Sequence, residues 1–172
     1  MSKLRPARSV RGILSQPWAR YSVKKPKKNY IRALPHTSLL IFKMGTQSGS
    51  YDATVTLNTE QDIQVRSNAL EAARQQVHKY LEANLPMGYE FKVLVYPHQV
   101  IREHKMATGA GADRISQGMS HAFGKPTGVA ARLRSGQPVF MIKTSKKNIS
   151  HAKEAFRKAS GKLSGSYRTK VA

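Results

Sequence analysis

Residues 68–84 form the chain's clearest helix, and what flanks them decides the fold class. Leu70, Ala73, Val77, Tyr80 and Leu81 recur at helical spacing and make one apolar face, with Asn68 and Glu71 placed as an N-terminal cap and its back-reaching partner. Pro86 and Gly88 end the helix. Strand-like runs precede it at 38–44 (SLLIFKM) and 51–58 (YDATVTLN), separated by the turn-rich GTQSGS, and EFKVLVYP at 90–97 follows directly. Residues 128–145 read as two strands around Ser135-Gly136-Gln137, a hairpin signal. A second helix, from about Asn148 to Lys162, puts Ile149, Ala152, Phe156, Ala159 and Leu163 on one face. A one-sided apolar helix must bury that side on another layer. The order therefore predicts an α+β domain of mostly antiparallel sheet, with the two main helices packed on one side.

Charge divides the chain differently. Of the net +21, residues 1–51 contribute +11 with no acid, 52–101 contribute −2, and 102–172 contribute +12. Two basic thirds surround a near-neutral middle, so the charge belongs to surfaces. Residues 1–36 hold Pro6, Pro17, Pro26 and Pro35 among Arg5, Arg8, Arg11, Arg20, Lys24, Lys25, Lys27, Lys28 and Arg32, which reads as an extended basic arm. Trp18, Tyr21 and Tyr30 lie among those charges, where they can stack on bases or pin the arm to its own domain. The organisation expected is an arm at 1–36, one domain at 37–163 with a mobile loop at 102–111, and a short basic tail at 164–172. A pI near 10.6 points to a polyanionic partner, nucleic acid before membrane. No stretch approaches the ~20 apolar residues of a membrane span. Cysteine is absent, which removes disulfides and thiolate metal sites. Arg5, Arg8, Arg11, Ser9 and Ser15 resemble a mitochondrial transit peptide in composition, but Pro6 and Pro17 interrupt the helix it would form.

The stretch HKMATGAGADRISQGMSHAFGKPTG at 104–128 is glycine-rich, cationic and nearly free of acids. Gly109-Ala110-Gly111 is not a dinucleotide fingerprint, because position 114 is Arg and no apolar strand runs directly into it. It suits a loop whose backbone can approach a crowded polyanion. Ala112 is expected to open a short helix, ADRISQGM, whose first amides favour phosphate. His98, His104 and His121 show no pairing with Glu103 or Asp113 that acid–base cleavage would need, and no spacing fits a metal. Asn148-Ile149-Ser150 matches a glycosylation sequon but serves better as a helix cap. Lys125, Arg132, Lys146 and Lys147 are the domain's expected RNA-contacting cations, with Lys153, Arg157 and Lys158 on one helix face.

The run GAGADRISQGMSHAFGKPTGVAARL, preceded by VYPHQVIREHKM and NALEAARQQVHKYL, resembles the universal large-subunit ribosomal protein sixteen family in its archaeal and eukaryotic (ten-e) branch. RPARSVR and YIRALP sit where that family places its basic arm, and the likeness runs from about Arg5 to Leu163. The resemblance implies a non-catalytic, cofactor-free constituent of the cytoplasmic large ribosomal subunit. Its partners would be large-subunit ribosomal RNA, tRNA and neighbouring ribosomal proteins. It also implies that Arg102, Glu103, His104, Lys105, Met106, Ala107, Thr108, Gly109, Ala110 and Gly111 form a loop reaching toward the peptidyl-transferase region. Arg102 and Lys105 would then matter for tRNA accommodation or subunit maturation more than for stability. An RNA-processing enzyme and a nonspecific nucleic-acid condenser are the alternatives.

Overall fold

The computed structural model describes residues 4–9, 34–46 and 49–172. The elements run β1 (Lys43–Gly45), β2 (Ala53–Thr59), β3 (Ile63–Arg66), α1 (Ser67–Asn84), β4 (Tyr89–Val93), β5 (Gln99–Glu103), α2 (Ala112–Ile115), β6 (Lys125–Leu133), β7 (Pro138–Thr144), α3 (Ile149–Ser160) and β8 (Tyr167–Val171). One sheet has the order β1-β4-β7-β2-β8 and a second the order β3-β6-β5. Every pairing is antiparallel. This is the α+β class expected, with more strands than the sequence announced.

Alternation builds the larger sheet. Ala53, Val55 and Leu57 of β2 are buried, as are Val139, Phe140 and Ile142 of β7. Phe91 and Phe140 meet edge to face across β4 and β7, with centroids 5.5 Å apart. Leu70, Ala73, Val77 and Leu81 of α1 and Ala152, Ala155, Phe156 and Ala159 of α3 close the same core. The two helices also pack on each other, where Tyr80 meets His151.

Several expectations need correction. The strand expected at 38–44 is ordered as strand only over Lys43–Gly45, although Phe42 O still accepts from Val93 N. Asn68 lies inside the first turn of α1, and no side chain caps that helix. Glu71 instead accepts two bonds from Arg74, at 2.8 and 2.5 Å, while Arg74 Nη1 reaches Met44 Sδ. The carboxylate stays below its usual range chiefly because Arg74 donates to it. Asn148 does precede α3, again without a side-chain capping bond. Residues 164–172 are more than a tail, since Tyr167–Val171 pair with β2 along its free edge.

The expected hairpin at 128–145 does not form. β6 pairs with β3 and β5, whereas β7 pairs with β2 and β4, so Ser135-Gly136-Gln137 carries the chain from one sheet to the other. The β2–β3 connection makes the same crossing beside it. Gly136 N donates to Thr59 O, Thr59 N to Gln137 O, and Ser135 N to Asp62 Oδ1. Gly136 holds φ +80°, which glycine adopts without the cost a side chain would bring. A strand–turn–strand signal describes a sheet corner as well as a hairpin.

One buried carboxylate ties the central strands. Glu90 on β4 is 5% exposed, and Lys92 Nζ and Lys143 Nζ of β7 approach its two oxygens at 2.5 and 3.5 Å. The hydrogen bond from Lys92 outweighs burial and keeps this carboxyl below the usual range. A group with a depressed folded pKa stabilises above its unfolded pKa, and that stability is lost as pH falls through the folded value. Glu90→Gln should therefore cost about 1.5 kcal/mol at neutral pH, and the gap to wild type should narrow below about pH 4. Denaturant melts at pH 7 and pH 3 check this; an unchanged gap would assign the cost to packing.

Candidate nucleic-acid interface

β5 and β6 pair to the point where Glu103 faces Lys125, and residues 104–124 leave the sheet between them. Arg102 and Glu103, expected within the mobile loop, are thus strand residues at its root. The Arg102 guanidinium donates to Phe123 O (3.0 Å) and Gly124 O (2.8 and 2.5 Å), and its carbon lies 3.7 Å from the centre of the Phe123 ring. That side chain buckles the outgoing and returning strands together. His104 Nε2 lies 2.7 Å from Gly118 O, so a second bond spans the excursion farther out.

Gly124 completes the root. Its φ is +27°, and a Cβ there would sit 2.5 Å from Glu103 O and from His104 N, closer than van der Waals contact allows. Only a residue without a side chain lets the two strands approach this closely. Farther out, Lys105, Met106, Thr108, Gly109, Ala110 and Gly111 are exposed, and Ala107 is half-buried. The helix expected over 112–119 shortens to Ala112–Ile115, followed by a 3-10 turn at Gly118–His121. Two of its early amides are already engaged, Ala112 N on Gly109 O and Arg114 N on Gly111 O. The phosphate expected there loses those donors.

The excursion has no core of its own. Met106, Ile115, Met119 and Phe123 are 46%, 80%, 66% and 47% exposed, and none of its short helix is buried. Of these four, only Met106 stands among the residues expected in the loop. DRISQGMSHAF sets Ile115, Met119 and Phe123 four residues apart, a helical spacing, but the α-helix stops at Ile115 and leaves all three exposed.

The other candidate residues scatter over the surface. Lys125 is exposed at the start of β6, and Lys146 and Lys147 are exposed in a 3-10 turn (Lys146–Asn148) before α3. Arg132 is half-buried, donates to Gln64 Oε1, and has its pKa lowered by burial. On α3, Arg157 pairs with Glu154 and Lys158 lies 4.0 Å from the centre of the Tyr80 ring, while Lys153 is exposed. β8 adds exposed Arg168 and Lys170, in the stretch expected to be a short basic tail.

Residues 4–9 of the arm lie against β3. Ser9 O accepts from Gln64 N (2.6 Å), Arg8 O from Gln64 Nε2 (3.1 Å), and Arg5 O from Arg66 Nη2 (2.6 Å). Arg5 Nε pairs with Glu103 Oε1 at 3.0 Å, joining the arm to the root of the excursion. Arg11, Arg20, Lys24, Lys25, Lys27, Lys28 and Arg32, with Trp18, Tyr21 and Tyr30, lie outside the described residues. Among the described residues no group of His, Asp and Glu could hold a metal ion, and no helix is long and apolar enough to cross a membrane.

The fold and this surface define a small basic α+β protein that projects a clamped, glycine-rich excursion from one sheet. The family model of ribosomal protein L16p/L10e matches residues 19–170. Similar proteins include large ribosomal subunit protein uL16 of Methanococcus aeolicus, 45% identical over 161 residues, covering 93% of this chain and 89% of the relative. The uL16 of Hyperthermus butylicus is 47% identical over 138 residues (80% and 77%), and that of Staphylothermus marinus 42% over 161 (93% and 88%). The chain belongs to the ribosomal protein L16p/L10e family, in its archaeal and eukaryotic type.

Proposed function

We propose that this chain is a structural constituent of the large ribosomal subunit, bound to its ribosomal RNA among other ribosomal proteins, and that its excursion tip (105–111) lies against tRNA. The role is positional, not enzymatic, and its place is the ribosome of the cytoplasm. The observation that carries the reading is a rigid root beneath an exposed tip. Arg102 and Gly124 fix where the excursion leaves the sheet, while Lys105, Arg114 and Lys125 face outward around it. Phosphate contacts of that kind hold position without reading sequence. The exposed Met106, Ile115, Met119 and Phe123 supply apolar surface for bases, sugars or a protein neighbour.

Sedimentation of lysate tests the assembly. The chain should travel with large subunits and stay there through a high-salt wash; free protein at modest salt would overturn the reading. The tip has its own test. Backbone protection at 105–111 should rise when tRNA occupies the subunit, and equal protection with and without tRNA would remove tRNA from its partners.

A further inference from the structure

The described part of the arm does not lie flat on the domain. Between residues 4–8, β3, the end of β5 and the start of α1 runs a groove of about 730 Å³. Arg5, Arg8, Arg66 and Arg102 line it against a single carboxylate, Glu103, which Arg5 already neutralises. A second hollow on the other side of the arm shares Arg8, Arg66 and Asn68 with it and adds Lys162. Both hollows meet at the N-terminus of α1.

That terminus is bare. The N–H groups of the first turn, at Ser67, Asn68 and Ala69, have no acceptor within the helix. No side chain caps them and no acid stands in the turn. Ser67 gives a separate observation. It is only 6% exposed, it lines the groove, and its hydroxyl has no hydrogen-bond partner among the described residues. A serine held at that depth with an unpartnered hydroxyl, at the head of first-turn amides and next to Arg66, suits one further component, an acceptor with several oxygens and negative charge.

The geometry points to a phosphate site here: Ser67 Oγ, the first-turn amides of α1 and the Arg66 guanidinium bind one phosphodiester of the RNA backbone. Arg66 is partly engaged, since Nη2 donates to Arg5 O, and it lines the groove. The charge is matched by the positive end of an 18-residue helix. The arm forms one wall, so the phosphate would also fasten residues 4–8 in place. The inference rests on the proposed binding to ribosomal RNA and names where one contact is made.

Ser67→Asp separates a binding role from a structural one. A carboxylate in the first turn suits the helix terminus, so thermal stability should hold or rise. It also occupies the anion's place. The full isotope-labelled chain is titrated with inorganic phosphate at constant ionic strength, using chloride as control. In wild type, the amide signals of residues 66–69 should shift saturably with phosphate and not with chloride; in Ser67→Asp they should not move. With a large-subunit ribosomal RNA fragment, Ser67→Asp should weaken binding and reduce the slope of log K against log salt by about one. Should that variant misfold, Ser67→Ala is read by the same titration and should lose part of the phosphate response.

Two results would overturn the site: phosphate shifts spread over the basic surface without saturating at α1, or Ser67→Asp binding RNA like wild type with the same salt slope. Failure of wild type to bind the RNA fragment would instead defeat the ribosomal reading. The phosphate titration would then still decide the groove, and a saturable response would mean it takes free phosphate.

Discussion

Gly124→Ala should destabilise the chain by roughly 2–4 kcal/mol, summing strain at positive φ with a forced backbone shift. The loss should be concentrated at the root of the excursion. The added methyl would meet the Glu103 carbonyl and the His104 amide, which are backbone atoms and cannot swing aside as a side-chain tip would. Any relief moves β5 away from the returning strand and pulls the Arg102 guanidinium off Phe123 O and Gly124 O. Gly128→Ala in β6 is the matched control, because nothing lies within 4 Å of its Cβ position. It should change stability by no more than about 0.5 kcal/mol. Denaturant melts of both variants give the difference, and hydrogen exchange at 103–104 and 122–125 locates it. Equal stability of the two variants would show that the root tolerates separation. If the clamp aims the tip, Gly124→Ala should also loosen incorporation into large subunits.

The expectation that Arg102 serves tRNA more than the fold meets a particular difficulty. Residue type reveals a positive charge but not its direction, and Arg102 is turned onto carbonyls of its own chain. The same holds for Arg5, which faces Glu103. Lys105, Lys125, Lys146 and Lys147 are exposed, since lysines among small or polar neighbours have no local acceptor to claim them. The helices were legible for a different reason. Their apolar positions repeat through three turns or more, and tertiary packing rewards that repeat directly. β3 (Ile63–Arg66) and β5 (Gln99–Glu103) were missed because each is short and carries glutamine inward, with Gln64 3% and Gln99 7% exposed. Gln64 is buried because Arg8 O and Arg132 supply partners from remote parts of the chain. Hydropathy along a window contains no trace of such partners. The sheet corner at Ser135-Gly136-Gln137 was misread for a related cause, since which sheet a strand joins depends on its neighbours in space.

The tail is where sequence and structure disagree most about a measurable outcome. Read as a basic extension, residues 165–172 could be deleted without effect on the domain. In the fold, Val55 to Thr59 of β2 pair with Val171 to Tyr167, Thr54 and Ala172 exchange bonds of 2.9 and 2.8 Å, and Glu60 N donates to Ser166 O. Deletion returns this edge of β2 to water and removes Tyr167, which packs on the core. With each ladder bond contributing about 0.5–1.5 kcal/mol net, the loss should be on the order of 3–5 kcal/mol. Arg168 and Lys170 hid the strand because charge on an exposed edge is how sheets discourage pairing with other chains. Tyr167 provides an independent readout. Burial pushes its phenol up to about 12, so the unfolded chain releases that proton first, near pH 10. The stability it contributes is full below pH 10 and falls as pH rises toward 12. Wild type should therefore lose stability over that window more steeply than Tyr167→Phe or the truncated chain. A truncated chain as stable as the full one at pH 7 would restore the tail; a large loss, with the alkaline slope reduced by Tyr167→Phe, makes β8 part of what holds β2, and through β2 the corner leading into β3, the strand against which the arm rests.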